Sequence, residues 1–184
     1  IAIDMPMTPE SVAIYLGIIQ IGGIVISIAD SFAPPEIATR LKLGNAKAIF
    51  TMSQFQRGGK RLPLYEKIVA ADPDGAVRAI VIQDENEKAS DLRPMDQTWP
   101  KFLSDNIHFT PHVAMPHETI NVLFSSGTTG EPKAIPWDHH AAIKCAADGH
   151  YHQDLHPGNV VAWPTNLGWM MGPWLIFATL INRG

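Results

Sequence analysis

The sequence predicts an α/β fold: layers of parallel strands joined through helices. Three observations carry this. Short apolar runs rich in β-branched residues recur at 1–3, 24–28, 48–51 and 79–82. Helix-patterned stretches lie between them, and glycine and proline fall at the ends of these elements rather than inside them. Alternation of strand and helix implies parallel pairing through right-handed crossovers.

Ile1-Ala2-Ile3 reads as the tail of a strand. Thr8 is placed to cap a helix, Pro9 suits its first position, and Glu10 lies favourably in the first turn. Val12, Tyr15, Leu16 and Ile19 mark one helical face, and Gly22-Gly23 end the helix. The apolar run 24–28 has the character of a strand buried on both faces. After Pro34-Pro35 a helix is predicted over 36–43 with Gly44 as its stop. Strand 48–51, helix 64–70 and strand 79–82 follow. The stretch 84–116 is polar and carries several prolines, so it is expected to cross the surface. Within it a helix over 98–103 would be anchored by Trp99 and Phe102. Ile120, Val122 and Phe124 alternate with Asn121 and Leu123, which marks another strand. Ala134-Ile135-Pro136 continues as a strand, and Asp138 caps a helix reaching about Ala147. Its face of Ala141, Ala142, Ala146 and Ala147 suits close packing.

At 184 residues the chain is long enough for one domain, and its 46% hydrophobic content is ordinary for a globular protein. A net charge of −4 without a basic stripe argues against nucleic-acid binding. The lone Cys145 excludes an intramolecular disulfide and reads as a small packing residue. The uncharged span 11–29 approaches the length of a membrane helix. Gly22-Gly23 interrupt it, Glu10 and Asp30 flank it, and no Lys or Arg anchors its ends, so no integral membrane segment is expected. His139, His140, His150, His152 and His156 crowd together, but no cysteine pair or H-E-x-x-H spacing accompanies them, and no metal site is expected. Ile1 stands inside one apolar run and Gly184 just beyond another, so both ends read as cuts in a longer chain.

The segment from Leu123 to Lys133 carries the chemistry. Directly after the predicted strand it gathers Ser125, Ser126, Thr128, Thr129, Gly127, Gly130 and Lys133. Glycines let the backbone curl so that N–H groups point inward, hydroxyls add donors, and the ammonium adds charge; together these can hold a polyphosphate. Glu131 and Pro132 separate Gly130 from Lys133, and Ala134 follows it, so the Walker pattern fails, as does G-x-G-x-x-G. A strand leads in and a strand leads out, so a helix terminus is not among the binding groups. A solvated turn is the plain alternative, but a turn does not need Pro132 and Lys133 at these offsets.

The order Ser-Ser-Gly-Thr-Thr-Gly-Glu-Pro-Lys resembles the phosphate loop of the adenylate-forming, AMP-binding superfamily, which includes acyl-CoA synthetases, adenylation domains of peptide synthetases and luciferases. That family commonly has glycine where Ala134 stands, a position that would be strained if it needed positive φ. The stretch from Tyr15 to Val25 resembles the family's early helix-to-strand segment. Trp163-Pro164-Thr165-Asn166-Leu167-Gly168-Trp169-Met170-Met171-Gly172 resembles the segment that acetyl-CoA synthetases carry after the loop. Its wording is most similar to plant acyl-activating enzymes of the acetyl-CoA synthetase-like group, several of them peroxisomal. Asn166 stands where the family often has aspartate.

The resemblance implies that residues 1–184 are an incomplete portion of a large N-terminal domain. The adenine-clamping segments and the mobile C-terminal domain with its catalytic lysine would lie elsewhere. No catalytic residue is therefore assigned here, and the 184 residues alone are expected to be inactive. Ser125, Ser126, Gly127, Thr128, Thr129, Gly130 and Lys133 would bind the phosphates of ATP, with Mg²⁺ sharing their charge. Trp169, Met170, Met171 and Gly172 would form the acyl pocket; without the likeness, the two methionines read as core filling. The implied activity joins a small-molecule carboxylate to coenzyme A through acyl-AMP, in peroxisome or cytoplasm. Two alternatives stay open: an adenylation domain loading a carrier-protein thiol, and a truncated nucleotide-binding product without catalysis.

Overall fold

A computed structural model of the chain describes residues 1–83, 92–125, 130 and 132–184. Strand β1 (Ala2–Asp4) leads into helix α1 (Pro9–Gln20). The Thr8 hydroxyl accepts the Ser11 N–H at 3.2 Å, and the Ser11 hydroxyl accepts the Thr8 N–H at 3.0 Å. This reciprocal cap satisfies two donors that a helix start otherwise leaves open. At the other end Gly22 takes φ +74°, the Gly22 N–H donates to Ile19 and the Gly23 N–H donates to Ile18, closing the helix as its glycine pair predicts.

The predicted face packs on the core, with Tyr15 fully buried and Val12, Leu16 and Ile19 against it, but the most buried stripe is rotated from that face. Ser11, Ile14, Tyr15 and Ile18 are buried, whereas Val12, Leu16 and Ile19 are half-buried beside them. Ile14 and Ile18 are as apolar as Val12 and Ile19, so hydrophobic pattern alone leaves the rotation about the helix axis undetermined.

Strand β2 (Val25–Ile28) is buried throughout. Helix α2 (Pro34–Leu43) begins two residues before the predicted start, because both prolines fit the first turn, where no N–H is needed. The Glu36 carboxylate accepts the Ala33 N–H there at 2.9 Å. The residue that takes the left-handed turn after α2 is Asn45 (φ 49°), not Gly44 (φ −81°). Gly44 caps the helix as predicted, its N–H donating to the Arg40 carbonyl at 2.9 Å, and it also answers a packing need: a Cβ there would lie 2.7 Å from the Ile26 side chain.

After β3 (Ala48–Met52) comes a hairpin that the sequence pattern did not reveal, β4 (Phe55–Arg57) and β5 (Lys60–Leu62). Gly58 and Gly59 both adopt positive φ at its tip, the requirement of a tight hairpin turn. Its strands are short and polar, so no apolar alternation announces them. Helix α3 (Leu64–Ala71), strand β6 (Arg78–Ile82), strand β7 (Gln97–Thr98) and helix α4 (Trp99–Phe102) follow. Strand β8 (Thr119–Phe124), strand β9 (Ala134–Asp138), helix α5 (His139–Gln153) and helix α6 (Met171–Ile181) complete the order.

Among the described residues, seven strands form one sheet in the order β7-β6-β3-β1-β2-β8-β9. Every neighbouring pair is parallel except β8 with β9. The predicted α/β architecture is therefore present, with an antiparallel strand at one edge. Residues alternate between two cores. Ile3, Val25 and Phe50 join α1, α5 and α6 on one face. Ala2, Ile26 and Ile49 join α2 and α3 on the other. Burying an Ile or Val fully contributes about 1.5–3 kcal/mol each, so these paired layers hold the sheet between helices.

Helix α5 runs past Ala147 to Gln153, and Gly149 within it lies close against α6, where a Cβ would sit 3.0 Å from Ala178. Ala142 and Ala146 are buried in that contact, and the Asn182 amide donates to the carbonyls of Ala146 and Ala178, both at 2.8 Å. Cys145 packs in the same layer, and burial pushes its thiol up to about 11. The uncharged span 11–29 is divided between α1 and β2, and among the described residues no helix is long and apolar enough to cross a membrane.

Candidate functional site

The parallel strands β1, β2 and β8 end at the same edge of the sheet. The helix after β1 packs on one face and the helix after β2 on the other. In open α/β sheets this divergence leaves a crevice beyond the carboxyl ends, where ligands bind.

The predicted phosphate loop leaves β8 at this edge. The Ser125 N–H donates to the Lys133 carbonyl at 3.0 Å, and the Ser125 hydroxyl accepts the Lys133 N–H at 3.1 Å. The pairing continues the β8–β9 ladder, in which Phe124 faces Ala134. Gly130 and Lys133 are exposed, and a Cβ at Gly130 would meet open space. Lys133 forms no ion pair with a described residue. Ser126, Gly127, Thr128 and Thr129 lie outside the described residues. Ala134 is part of β9 and is not among the positive-φ residues, so its methyl group introduces no backbone strain.

The segment 163–172 lies against the turn that follows β2. Asn166 is buried; its amide donates to the Asp30 carboxylate at 3.3 Å, and its carbonyl oxygen accepts the Gly168 N–H at 3.0 Å. A Cβ at Gly168 would overlap the Ala29 backbone, and one at Gly172 would overlap the Asn166 carbonyl. Trp169 meets Phe32 edge-on, with ring centres 5.9 Å apart. Trp169 and Met171, with Arg57 and Thr165, line a cavity of about 540 Å³. Met171 and Trp163 also border a second cavity of about 610 Å³, shared with His152, Leu155 and Trp174. Met170 is exposed just before α6, and Gly172 is buried in its first turn.

Four charged residues that sequence reasoning did not single out meet at this edge. Asp30 is fully buried and paired with Arg57. The Lys67 ammonium donates to the carbonyls of Asp30 at 2.8 Å and Phe32 at 3.1 Å. Asp4, at the end of β1, is fully buried, and neither carboxylate oxygen has a hydrogen-bond partner among the described residues. Burial pushes its carboxyl up to about 8; Lys67 opposes this and nearby Asp30 adds to it. The available signal was an aspartate closing each of two apolar strands, at 4 and 30. Among the described residues no group of three or more His, Cys, Asp or Glu side chains converges as a metal site.

Residues 1–184 match the family model described as AMP-binding enzyme, and the chain belongs to that family. It is 50% identical to a hexanoyl-CoA synthase of Cannabis sativa and 52% identical to the probable acyl-activating enzyme 17, peroxisomal, of Arabidopsis thaliana. Each alignment covers 99% of this chain but 26% of the relative, so the chain spans about a quarter of their length. The acetyl-coenzyme A synthetase of Shewanella sediminis is 27% identical over 99% of the chain and 29% of that protein. Among solved structures, the acetoacetyl-CoA synthetase from Streptomyces lividans superposes with a TM-score of 0.85 at 23% identity, covering the whole chain and 28% of that structure. At this identity the likeness speaks for the fold.

Proposed function

We propose that the chain is part of an ATP-dependent acid–thiol ligase that activates a carboxylate as acyl-AMP and passes the acyl group to coenzyme A. The observation that carries the reading is that Ser125 and Lys133 are held together after β8, at the carboxyl edge of the sheet, with the lysine exposed. A carboxylate oxygen attacks the α-phosphate of ATP and pyrophosphate leaves. The thiol then attacks the acyl carbonyl and AMP leaves. Charge gathers on the departing phosphates, and the Lys133 ammonium and the loop's hydroxyl and N–H groups would stabilise it. Mg²⁺, when bound, would be held chiefly by the nucleotide's own oxygens.

The wall formed by Trp169 and Met171 supports their assignment to the acyl pocket, with Gly172 letting the chain approach closely behind them. A 540 Å³ cavity edged by a flexible thioether, and 50% identity to a protein named hexanoyl-CoA synthase, favour a medium-length acid over acetate. The names of the Arabidopsis relatives favour a peroxisomal location. Acid-dependent ATP–pyrophosphate exchange in the full-length protein, run over a panel of carboxylic acids, tests the reading. Exchange with medium-length acids is expected; exchange with no acid would overturn it.

A further inference from the structure

The turn after β2 does more than connect β2 to α2. Within four consecutive residues, 29–32, it touches three other parts of the chain. The Ala29 backbone receives Gly168 at a distance that excludes any side chain. The Asp30 carboxylate binds Arg57 of the hairpin through both oxygens and accepts the Asn166 amide at 3.3 Å. The Asp30 and Phe32 carbonyls accept Lys67 of α3. The Phe32 ring supports Trp169 and is itself covered by the Arg40 guanidinium at 3.8 Å. Both sides of the 540 Å³ cavity, the Arg57 side and the Trp169 side, therefore hang on this one turn.

We propose that Asp30 is a positioning residue for the acyl pocket, holding the wall segment through Asn166 and the hairpin through Arg57 with a single buried carboxylate. The proposal rests on the reading of Trp169 and Met171 as pocket wall. It also explains why an amide stands at position 166. Asp30 is an acceptor, so its partner must donate, while the Gly168 N–H needs an acceptor on the same side chain. Asparagine supplies both; aspartate supplies only acceptors and would set two carboxylates against each other. The other charged groups facing Asp30 are Arg57 from β4, Lys67 from α3 and Asp4 from β1. Arg57 is already committed to Asp30, and the Lys67 ammonium to main-chain carbonyls.

The test uses the full-length protein with N166D, D30N and the double variant D30N/N166D, measured by acid-dependent pyrophosphate exchange. N166D is expected to raise KM for the carboxylic acid by about tenfold, the loss of one hydrogen bond to a charged group. KM for ATP should stay unchanged. In the double variant amide and carboxylate change places. The amide at position 30 can then donate to the carboxylate at position 166, so most of the lost affinity for the acid should return. An unchanged KM for acid in N166D, or a double variant no better than the singles, would overturn the proposal. So would a loss that falls equally on acid and ATP, as a merely structural role predicts. Should a variant with the new carboxylate fail to fold, N166A removes the tie without adding charge and carries the same expectation for KM. Wild-type protein without any acid-dependent exchange would remove the ligase reading and this inference together, whereas active wild type with indifferent variants removes this inference alone.

Discussion

Ser125 and Lys133 hold each other twice, the Ser125 N–H on the Lys133 carbonyl at 3.0 Å and the Lys133 N–H on the Ser125 hydroxyl at 3.1 Å. The clamp ties Ser125 to Lys133, and the Lys133 side chain is exposed. Losing the ammonium and losing the clamp should therefore have different kinetic signatures.

In the full-length protein K133A is expected to lower the rate of pyrophosphate exchange by about 10²-fold, the usual effect of deleting one electrostatic donor from a transition state. S125A removes one hydrogen bond of about 1 kcal/mol and should raise KM for ATP severalfold with a smaller effect on rate. Equal exchange rates in K133A and wild type would end the assignment of Lys133 to the phosphates.

Asp4 makes stability depend on pH. Its folded value of about 8 lies above the ordinary carboxyl value of 3.8, so the folded chain binds the proton more tightly than the unfolded chain. The associated stability is fully present below the unfolded value and is lost as pH rises through the folded one. D4N, which carries no charge to desolvate, should melt at a higher temperature than wild type above pH 8, and the difference should narrow as pH falls and close only below about pH 4. Thermal unfolding across that range checks this; parallel curves for the two proteins would contradict it.

The Tyr15 hydroxyl is buried without a hydrogen-bond partner among the described residues, and its ring meets Phe177 edge-on at 5.8 Å. Burial raises its phenol well above the ordinary range. Y15F keeps the ring contact and removes the orphaned group, so it should be neutral or stabilising by about 1 kcal/mol. A clear loss of stability in urea unfolding would show that the hydroxyl has a partner.

Gly168 should tolerate no side chain, because the Ala29 backbone occupies the place of its Cβ. G168A is expected to lower stability by about 1–3 kcal/mol and to weaken binding of the carboxylic acid. By contrast, Asn45 carries its positive φ in an exposed turn, and N45G should be neutral or mildly stabilising there. Unfolding midpoints for the two variants in the same denaturant series check the contrast.

How much of this was legible in residue order differs from element to element. The cap at Thr8, the glycine end of α1 and the strand before Ser125 depend on neighbours within a few positions, and all were readable. The hairpin 55–62 was not, since its polar three-residue strands have no pattern to betray them. Gly44 ends α2 as its place in the sequence predicts, but it is also a packing gap for Ile26, a contact between residues 44 and 26 that local reading does not contain. Trp169 and Met171 were singled out by resemblance, but their shared cavity with Arg57 depends on folding the hairpin toward them.

By itself the sequence determined the alternation of strands and helices, the hydroxyl-and-lysine loop and its place after a strand, because propensity, capping and turn chemistry act over a few residues. Only the tertiary structure decided which stripe of α1 is most buried, that β9 turns back antiparallel, and that Asp30 meets Asn166 across 136 positions. Those outcomes come from long-range packing and from the need of a buried charge for partners, and a buried charge takes whatever donors the fold brings to it.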